Sequence, residues 1–378
     1  MSYSEVETGA WEVRWRQGGK NKSQRVASKL EAQELDAEKK RAKKSKFATT
    51  EYPRQTFKKL SEDVWDRRYA GLMPRTREDY VRYLDKIIGP HLNGYYLEEL
   101  TPDILEDWLT TISRTTGSET VRKCVTLLRS ILDWGVKWNR LPSNPAAHLE
   151  KPKKLPTPEL VPLAPVDIWR LANLLRTTGD EQSAVLTEIL GFAGLRPEEA
   201  HALTWGHVRD RTLRVEQRVS RGVVYPGTKN GKPRDVFMLA PLAKDLAKYK
   251  MRSGRPSDSS LIFPRFDGRC WQQHDVDNWR KRTFGAAAMA IGFTETRTRR
   301  VEGRTEHFEA ASITPYHLRH SFASLLLHEG KPAIYVAKQL GHSMQVLDDT
   351  YGHLIANLGD ICSAEQAVKE AQIEAVAA

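Results

Sequence analysis

Hydrophobic and polar positions divide the 378-residue chain into segments of different period. Near the amino terminus Trp11, Val13 and Trp15 alternate with Glu12, Arg14 and Arg16, the period-two pattern of a strand with one apolar face. Gln17-Gly18-Gly19-Lys20-Asn21 reads as a turn, and a second short strand follows around Lys22 to Val26. Ser28-Lys29-Leu30-Glu31 fits a capping box, in which a hydroxyl and a carboxylate close a helix's first turn. That helix runs into the basic stretch Lys39 to Lys44, so residues 1–47 are expected to form a small sheet-plus-helix module. The Trp11/Val13/Trp15 stripe is its core, which leaves Arg14 and Arg16 to face outward.

From Thr56 to Leu149 the period becomes helical, with apolar repeats in Phe57–Trp65 and in Val121–Trp138. Thr101-Pro102 is a helix start, a hydroxyl cap before proline at the first helical position, and Leu141–Pro145 is a stop. An all-α domain is therefore expected over 56–150. Five prolines between Lys151 and Pro165 read as an extended linker, residues 151–165. Beyond it, helical patterns through Asp167–Leu190 precede a β-rich stretch, Thr212–Leu239, with Asn230-Gly231 as a hairpin signal. Helices then resume to the end, interrupted by a basic loop at Thr296–Arg300, and Ser363 to Ala378 reads as a helix for docking on a neighbouring subunit. The fold class is mainly α with small β-sheets, in several domains, the last a mixed α/β domain over 166–378.

Composition narrows the function. A content of 40% hydrophobic and 28% charged residues is that of a globular protein, and no apolar run reaches 18 residues. The start of the chain lacks the basic and apolar stretches of a secretory signal, so a cytoplasmic location is expected. Cys124, Cys270 and Cys362 are odd in number and widely spaced, which suits reduced thiols and not a disulfide framework or zinc site. The net charge of +11 is uneven: +5 over residues 1–50, −1 over 51–200, +12 over 201–300 and −5 over 301–378. Two basic zones suggest two contacts with a polyanion.

Four separated motifs carry chemistry. Gly194-Leu195-Arg196-Pro197-Glu198-Glu199-Ala200 breaks the chain at glycine before a helix. Gly227-Thr228-Lys229-Asn230-Gly231-Lys232-Pro233-Arg234 sets Lys229 and Lys232 about the turn. Thr314-Pro315-Tyr316-His317-Leu318-Arg319-His320-Ser321 opens a helix presenting Arg319. Leu340-Gly341-His342-Ser343 is followed, nine residues after His342, by Tyr351. Alone, each arginine would be an ordinary salt-bridge residue, and Glu199 three residues on is a ready partner for Arg196. In this order and spacing, over roughly Asp167 to His353, the motifs resemble those of the tyrosine recombinases, or phage integrases.

The resemblance implies a site-specific recombinase that cuts DNA by attack of Tyr351 on a phosphodiester, leaving a 3′-phosphotyrosyl link. Arg196 and Arg319 would fork onto the phosphate oxygens, because guanidinium keeps its charge and offers paired donors. His342 would add a donor. A lysine would protonate the leaving 5′ oxygen; Lys229 matches the family position and Lys232 remains an alternative. The family's third motif has histidine where this chain has Tyr316, which can donate to phosphate but cannot act as an imidazole base. Glu199 and His320 are expected to support the site from behind, while Arg14, Arg16, Lys20, Lys22, Lys232 and Arg234 are expected on DNA. Because the phosphotyrosyl bond stores the energy of the broken linkage, neither ATP nor a metal is expected. The implied assembly is a homotetramer on double-stranded attachment sites, with residues 1–47 on distant arm sites, 56–150 on core DNA, and a host DNA-bending protein and an excision factor as partners. A chromosome-dimer resolvase or type IB topoisomerase would share the chemistry, and a non-catalytic DNA-binding regulator would share the fold.

Overall fold

A computed structural model describes residues 2–7, 9–17, 20–44, 52–155, 161–228, 232–301, 304–355 and 364–377. The chain divides into two compact units, Met1–Thr157 and Pro158–Ala378, parted within the proline-rich stretch. No helix among the described residues is long and apolar enough to cross a membrane.

The first unit opens with an antiparallel sheet of β1 (Ser2–Glu7), β2 (Ala10–Gln17) and β3 (Lys20–Val26) in that order. Register pairs Tyr3 with Val13 and Trp11 with Val26. The alternation in β2 sets Val13 into the small core with Ala32 of helix α1 (Lys29–Lys44). The Ser28 hydroxyl accepts from Glu31 N at 3.2 Å and the Glu31 carboxylate accepts from Ala27 N at 3.0 Å, so the capping box forms one residue early at its return arm. The side chains of Arg16, Lys20 and Lys22 and those of Lys39–Lys44 lie outside the described part.

Helices follow. They are α2 (Phe57–Val64), α3 (Pro74–Tyr83), a short α4 (Gly89–Leu92), α5 (Pro102–Ser113) and α6 (Ser118–Lys137). The Thr101 hydroxyl caps α5 by accepting from Ile104 N at 3.4 Å. Phe57, Leu60 and Val64 of α2 meet Val121, Cys124, Leu128 and Ile131 of α6 in one core, as their helical spacing dictates. At its surface Arg68 stacks on Trp134 at 3.8 Å and Arg67 on Trp138 at 5.0 Å, with Lys137 and Arg140 over the same two rings.

In the second unit α7 (Pro165–Thr177) packs on α8 (Glu181–Phe192), which is buried on all sides. Pro165 is the first residue of α7 and not the last of a linker, since proline suits the first helical position. The one-turn α9 (Pro197–Ala200) leads to β4 (Thr212–Val215), β5 (Gln217–Ser220), β6 (Val223–Pro226) and β7 (Arg234–Phe237). β5 pairs with β6 through a two-residue turn at Arg221-Gly222, both with positive φ, while β7 pairs with β4. The Asn230-Gly231 hairpin signal and Lys229 lie outside the described residues.

The chain continues through α10 (Ala240–Arg252), α11 (Gln273–Asn278) and α12 (Gly285–Ala290) to a long hairpin of β8 (Thr294–Val301) and β9 (Arg304–Ala311). The expected basic loop is thus strand β8, hidden in the sequence because β9 is exposed along most of its length and neither strand carries an apolar stripe. Next come α13 (Pro315–His328), α14 (Ala333–Leu340), α15 (Met344–Ile355) and α16 (Ala364–Ala377). Instead of standing free for a neighbour, α16 covers its own unit. Val368 and Ala371 are buried, the Trp169 indole N–H donates to Val368 O at 3.1 Å, and Gln372 donates to Asp245 at 3.3 Å.

Candidate active site

The site is assembled around the end of α14. Gly341 takes a left-handed φ of 64°, which glycine adopts without strain, and the His342 amide donates back to Ala337 O at 2.9 Å. This helix ending turns the carbonyls of Leu340 and Gly341 toward two guanidinium groups. Arg196 donates to Leu340 O at 3.4 Å and to Gly341 O at 3.2 Å; Arg319 donates to Leu340 O and, at 2.5 Å, to Gly194 O. Residue 194 must be glycine, for its φ is 62° and an added Cβ would stand 2.2 Å from the Phe322 ring.

Glu199 holds the cations in place. It accepts from the Arg196 side chain at 3.0 Å, from the Arg196 amide at 3.1 Å, and from Arg234 at 3.0 and 2.6 Å. Burial works against its carboxylate, but the hydrogen-bonded Arg234, with Arg196 and Arg319 nearby, holds its pKa at about 2. Arg234 is corrected from a DNA contact to an internal clamp. Both its terminal nitrogens are on Glu199 and its Nε donates to Gln339 O at 2.8 Å, so little of it remains for a ligand. Gln339 in turn accepts from Phe237 N at 2.7 Å and ties β7 to α14.

His342 lies 2.9 Å from Arg319 Nη2. Arginine only donates, so His342 Nε2 accepts and the neutral ring carries its proton on Nδ1. Burial, then Arg319 and Arg196, lower its pKa to about 3, which keeps it neutral at physiological pH. Nδ1 is buried without a partner among the described residues, a donor ready for an oxygen acceptor.

Tyr351 sits on the inner face of α15, 2% exposed, among Phe322, Ala323, Leu326, Leu327 and Leu347. Its hydroxyl lies 2.6 Å from Nδ1 of His320. Burial outweighs Arg319 and pushes Tyr351 up to about 12, so the phenol is protonated in the free protein. His320 is in direct contact with the phenol and not behind the site, and burial, His317 and Arg319 pull its pKa down to about 4. Its sequence signal was its spacing: His320 precedes buried Ala323 and Leu327 by three and seven residues on α13.

Tyr316 stands at the mouth, 43% exposed, in the field of Glu198, Arg319 and Arg196. His317 turns away, its Nδ1 accepting from Thr314 N at 3.0 Å as part of the α13 cap. Arg218 donates to Gly227 O at 2.7 Å and to Thr228 O at 2.9 Å, and the Thr228 hydroxyl donates to Lys232 O at 2.9 Å; Lys229 itself lies outside the described residues. Lys232 is exposed. Arg14 is exposed in the first unit, paired with Glu12 at 2.6 Å.

Fixed guanidinium groups beside a phenol suit phosphoryl transfer, in which extra negative charge develops on phosphate oxygens. The chain belongs to the phage integrase family: the model of that family matches residues 163–356, and that of the phage integrase central domain matches residues 57–152. Within it the chain is a tyrosine-type site-specific DNA recombinase. It is 24% identical to the ICEBs1 integrase of Bacillus subtilis (strain 168) over 300 residues, 75% of this chain and 76% of the relative. With tyrosine recombinase XerC of Xanthomonas axonopodis pv. citri (strain 306) it shares 26% over 242 residues, 63% of this chain and 68% of the relative. The fold resembles a Tn1549 transposon integrase in complex with transposon right-end DNA, with TM-score 0.63 and 14% identity over 86% of this chain and all of that one. It also resembles a lambda integrase dimer bound to a COC′ core site, with TM-score 0.60 and 15% identity over 96% and 97%.

Proposed function

We propose that the chain is an integrase whose Tyr351 attacks a scissile phosphodiester, releasing a 5′ hydroxyl and leaving a 3′-phosphotyrosyl link that a second 5′ hydroxyl later displaces. The observation that carries this is the meeting of Arg196, Arg319 and His342 at one helix end, with Tyr351 on the next helix and in the field of Arg319. The arginines neutralise the non-bridging oxygens as phosphorus becomes five-coordinate, and His342 Nδ1–H adds a neutral donor. Lys229, with Lys232 as the alternative, protonates the leaving oxygen. Tyr316 donates to phosphate from the mouth.

Residues 1–47 bind arm-type DNA through Arg14, Arg16, Lys20 and Lys22, and residues 56–150 bind core DNA. The cations stacked on Trp134 and Trp138 support the second assignment, since Arg67 and Arg68 are exposed and held outward by the rings. The working form is a homotetramer on two attachment sites in a bacterial cytoplasm, aided by a host DNA-bending protein and an excision factor. Support for the assembly comes from lambda integrase, whose structure is known as a tetramer bound to a Holliday junction. The substrate is a phage or mobile-element genome, in line with similarity to the ICEBs1 and Tn1549 integrases.

The test uses nicked duplexes from a randomised library, mixed with the protein and resolved in denaturing detergent. Wild type yields a covalent protein–DNA band that Tyr351→Phe does not; an undiminished band from Tyr351→Phe overturns the reading.

A further inference from the structure

We propose that His320 is the base that takes the proton of Tyr351 during strand cleavage, a role for which residue 316 of this chain has no imidazole. The inference rests on Tyr351 being the nucleophile. Among the described residues, four groups of the third and fourth motifs come into question: His342, His317, Tyr316 and His320. His342 spends Nε2 on Arg319, and His317 spends Nδ1 on the Thr314 amide. Tyr316 is a phenol like the one it would have to deprotonate, and burial and Glu198 make it a weaker acid still. His320 alone of the four has a nitrogen on the reacting oxygen, at 2.6 Å.

The direction of that hydrogen bond follows from chemistry. A phenol held at about 12 is protonated near neutrality, and an imidazole held at about 4 is neutral, so Tyr351 donates and His320 Nδ1 accepts. Among the described residues, the charged and titratable groups around His320 are Arg319 and His317 on its own helix, His342 after α14 and Tyr351 on α15. Arg319 and His317 oppose an imidazolium there in the free protein. A bound phosphate adds negative charge beside the ring and supports it, so the base strengthens when substrate arrives.

The step balances. As the Tyr351 oxygen bonds to phosphorus its O–H bond breaks, and the proton passes to His320 Nδ1, giving an imidazolium with both nitrogens protonated. The P–O5′ bond breaks with its electron pair on O5′, which takes a proton from the lysine acid. On rejoining, an incoming 5′ hydroxyl returns its proton to that lysine, and the imidazolium returns the other to the Tyr351 oxygen as it leaves.

The test separates a base from a mere positioning group. Asparagine places an acceptor oxygen near the position of Nδ1 but cannot take a proton, so His320→Asn keeps the hydrogen bond and loses the chemistry. Single-turnover cleavage is measured against pH on a nicked duplex captured from a randomised library by the wild-type chain. Wild-type cleavage is expected to fall on the acid side as His320 becomes protonated. His320→Asn is expected to bind the same duplex with unchanged affinity, cleave about 10²-fold or more slowly, and lose that acid limb. Tyr316→Phe is expected to keep it. His320→Asn cleaving at the wild-type rate with the wild-type profile, or loss of the acid limb in Tyr316→Phe instead, overturns the proposal. Tyr351→Phe, run alongside, reports separately on the nucleophile.

Discussion

Replacing Glu199 by glutamine tests whether this carboxylate holds the cationic centre together. Its pKa is lowered from 4.5 to about 2, a difference of about 2.5 units, or about 3 kcal/mol at 1.36 kcal/mol per unit. A depressed carboxylate contributes that stability at pH values above its unfolded pKa and loses it as pH falls through 4.5 toward 2. Glu199→Gln keeps the shape but leaves Arg196, Arg234 and Arg319 without their shared counter-charge. The second unit should therefore be about 3 kcal/mol less stable at pH 7, with roughly half of that difference remaining at pH 3. Urea titration read by hydrogen exchange on peptides covering residues 190–200 and 335–345 reports this unit by itself. Equal stability of variant and wild type at pH 7, or a difference that does not shrink between pH 7 and pH 3, refutes the reasoning.

Further consequences are as direct. Arg319→Lys keeps a charge but loses the planar fork that spans Gly194 O, Leu340 O and His342; cleavage should fall about 10²-fold or more with DNA affinity little changed, as binding and single-turnover assays would show. Gly194→Ala forces a side chain into the left-handed region and against Phe322, so the unit should unfold at lower urea, and Phe322→Leu in the same chain should restore part of the loss. Val368→Asp puts a charge where α16 meets α7, which should free the helix and raise amide hydrogen exchange along α16, whereas protection equal to wild type would contradict the packing.

Features with a strong local period were legible in the sequence. The Trp11/Val13 alternation, the Thr101-Pro102 cap and the apolar stripes of α2 and α6 all rest on neighbours a few residues away. The cluster of Arg196, Glu199, Arg319, His342 and Tyr351 was legible through motif order and spacing. Its internal roles were not, because they depend on contacts across the chain. Arg234 looks like any basic residue near a turn until β7 is laid beside α14, where Glu199 claims it. His320 looks like a neighbour of Arg319 until α15 folds back and sets Tyr351 on it. The β8–β9 hairpin lacked a signal of its own, since its Thr and Arg positions give no apolar face to count.

The central claim is that Tyr351 becomes joined to DNA, and identifying the linked residue tests it most directly. Covalent complex formed on a nicked duplex is digested with protease and nuclease, and the nucleotide-bearing peptide is sequenced by mass spectrometry. The account predicts one adduct, a phosphate ester on the peptide containing Tyr351, absent from Tyr351→Phe. An adduct on any other residue, or the same adduct yield from Tyr351→Phe, would contradict it.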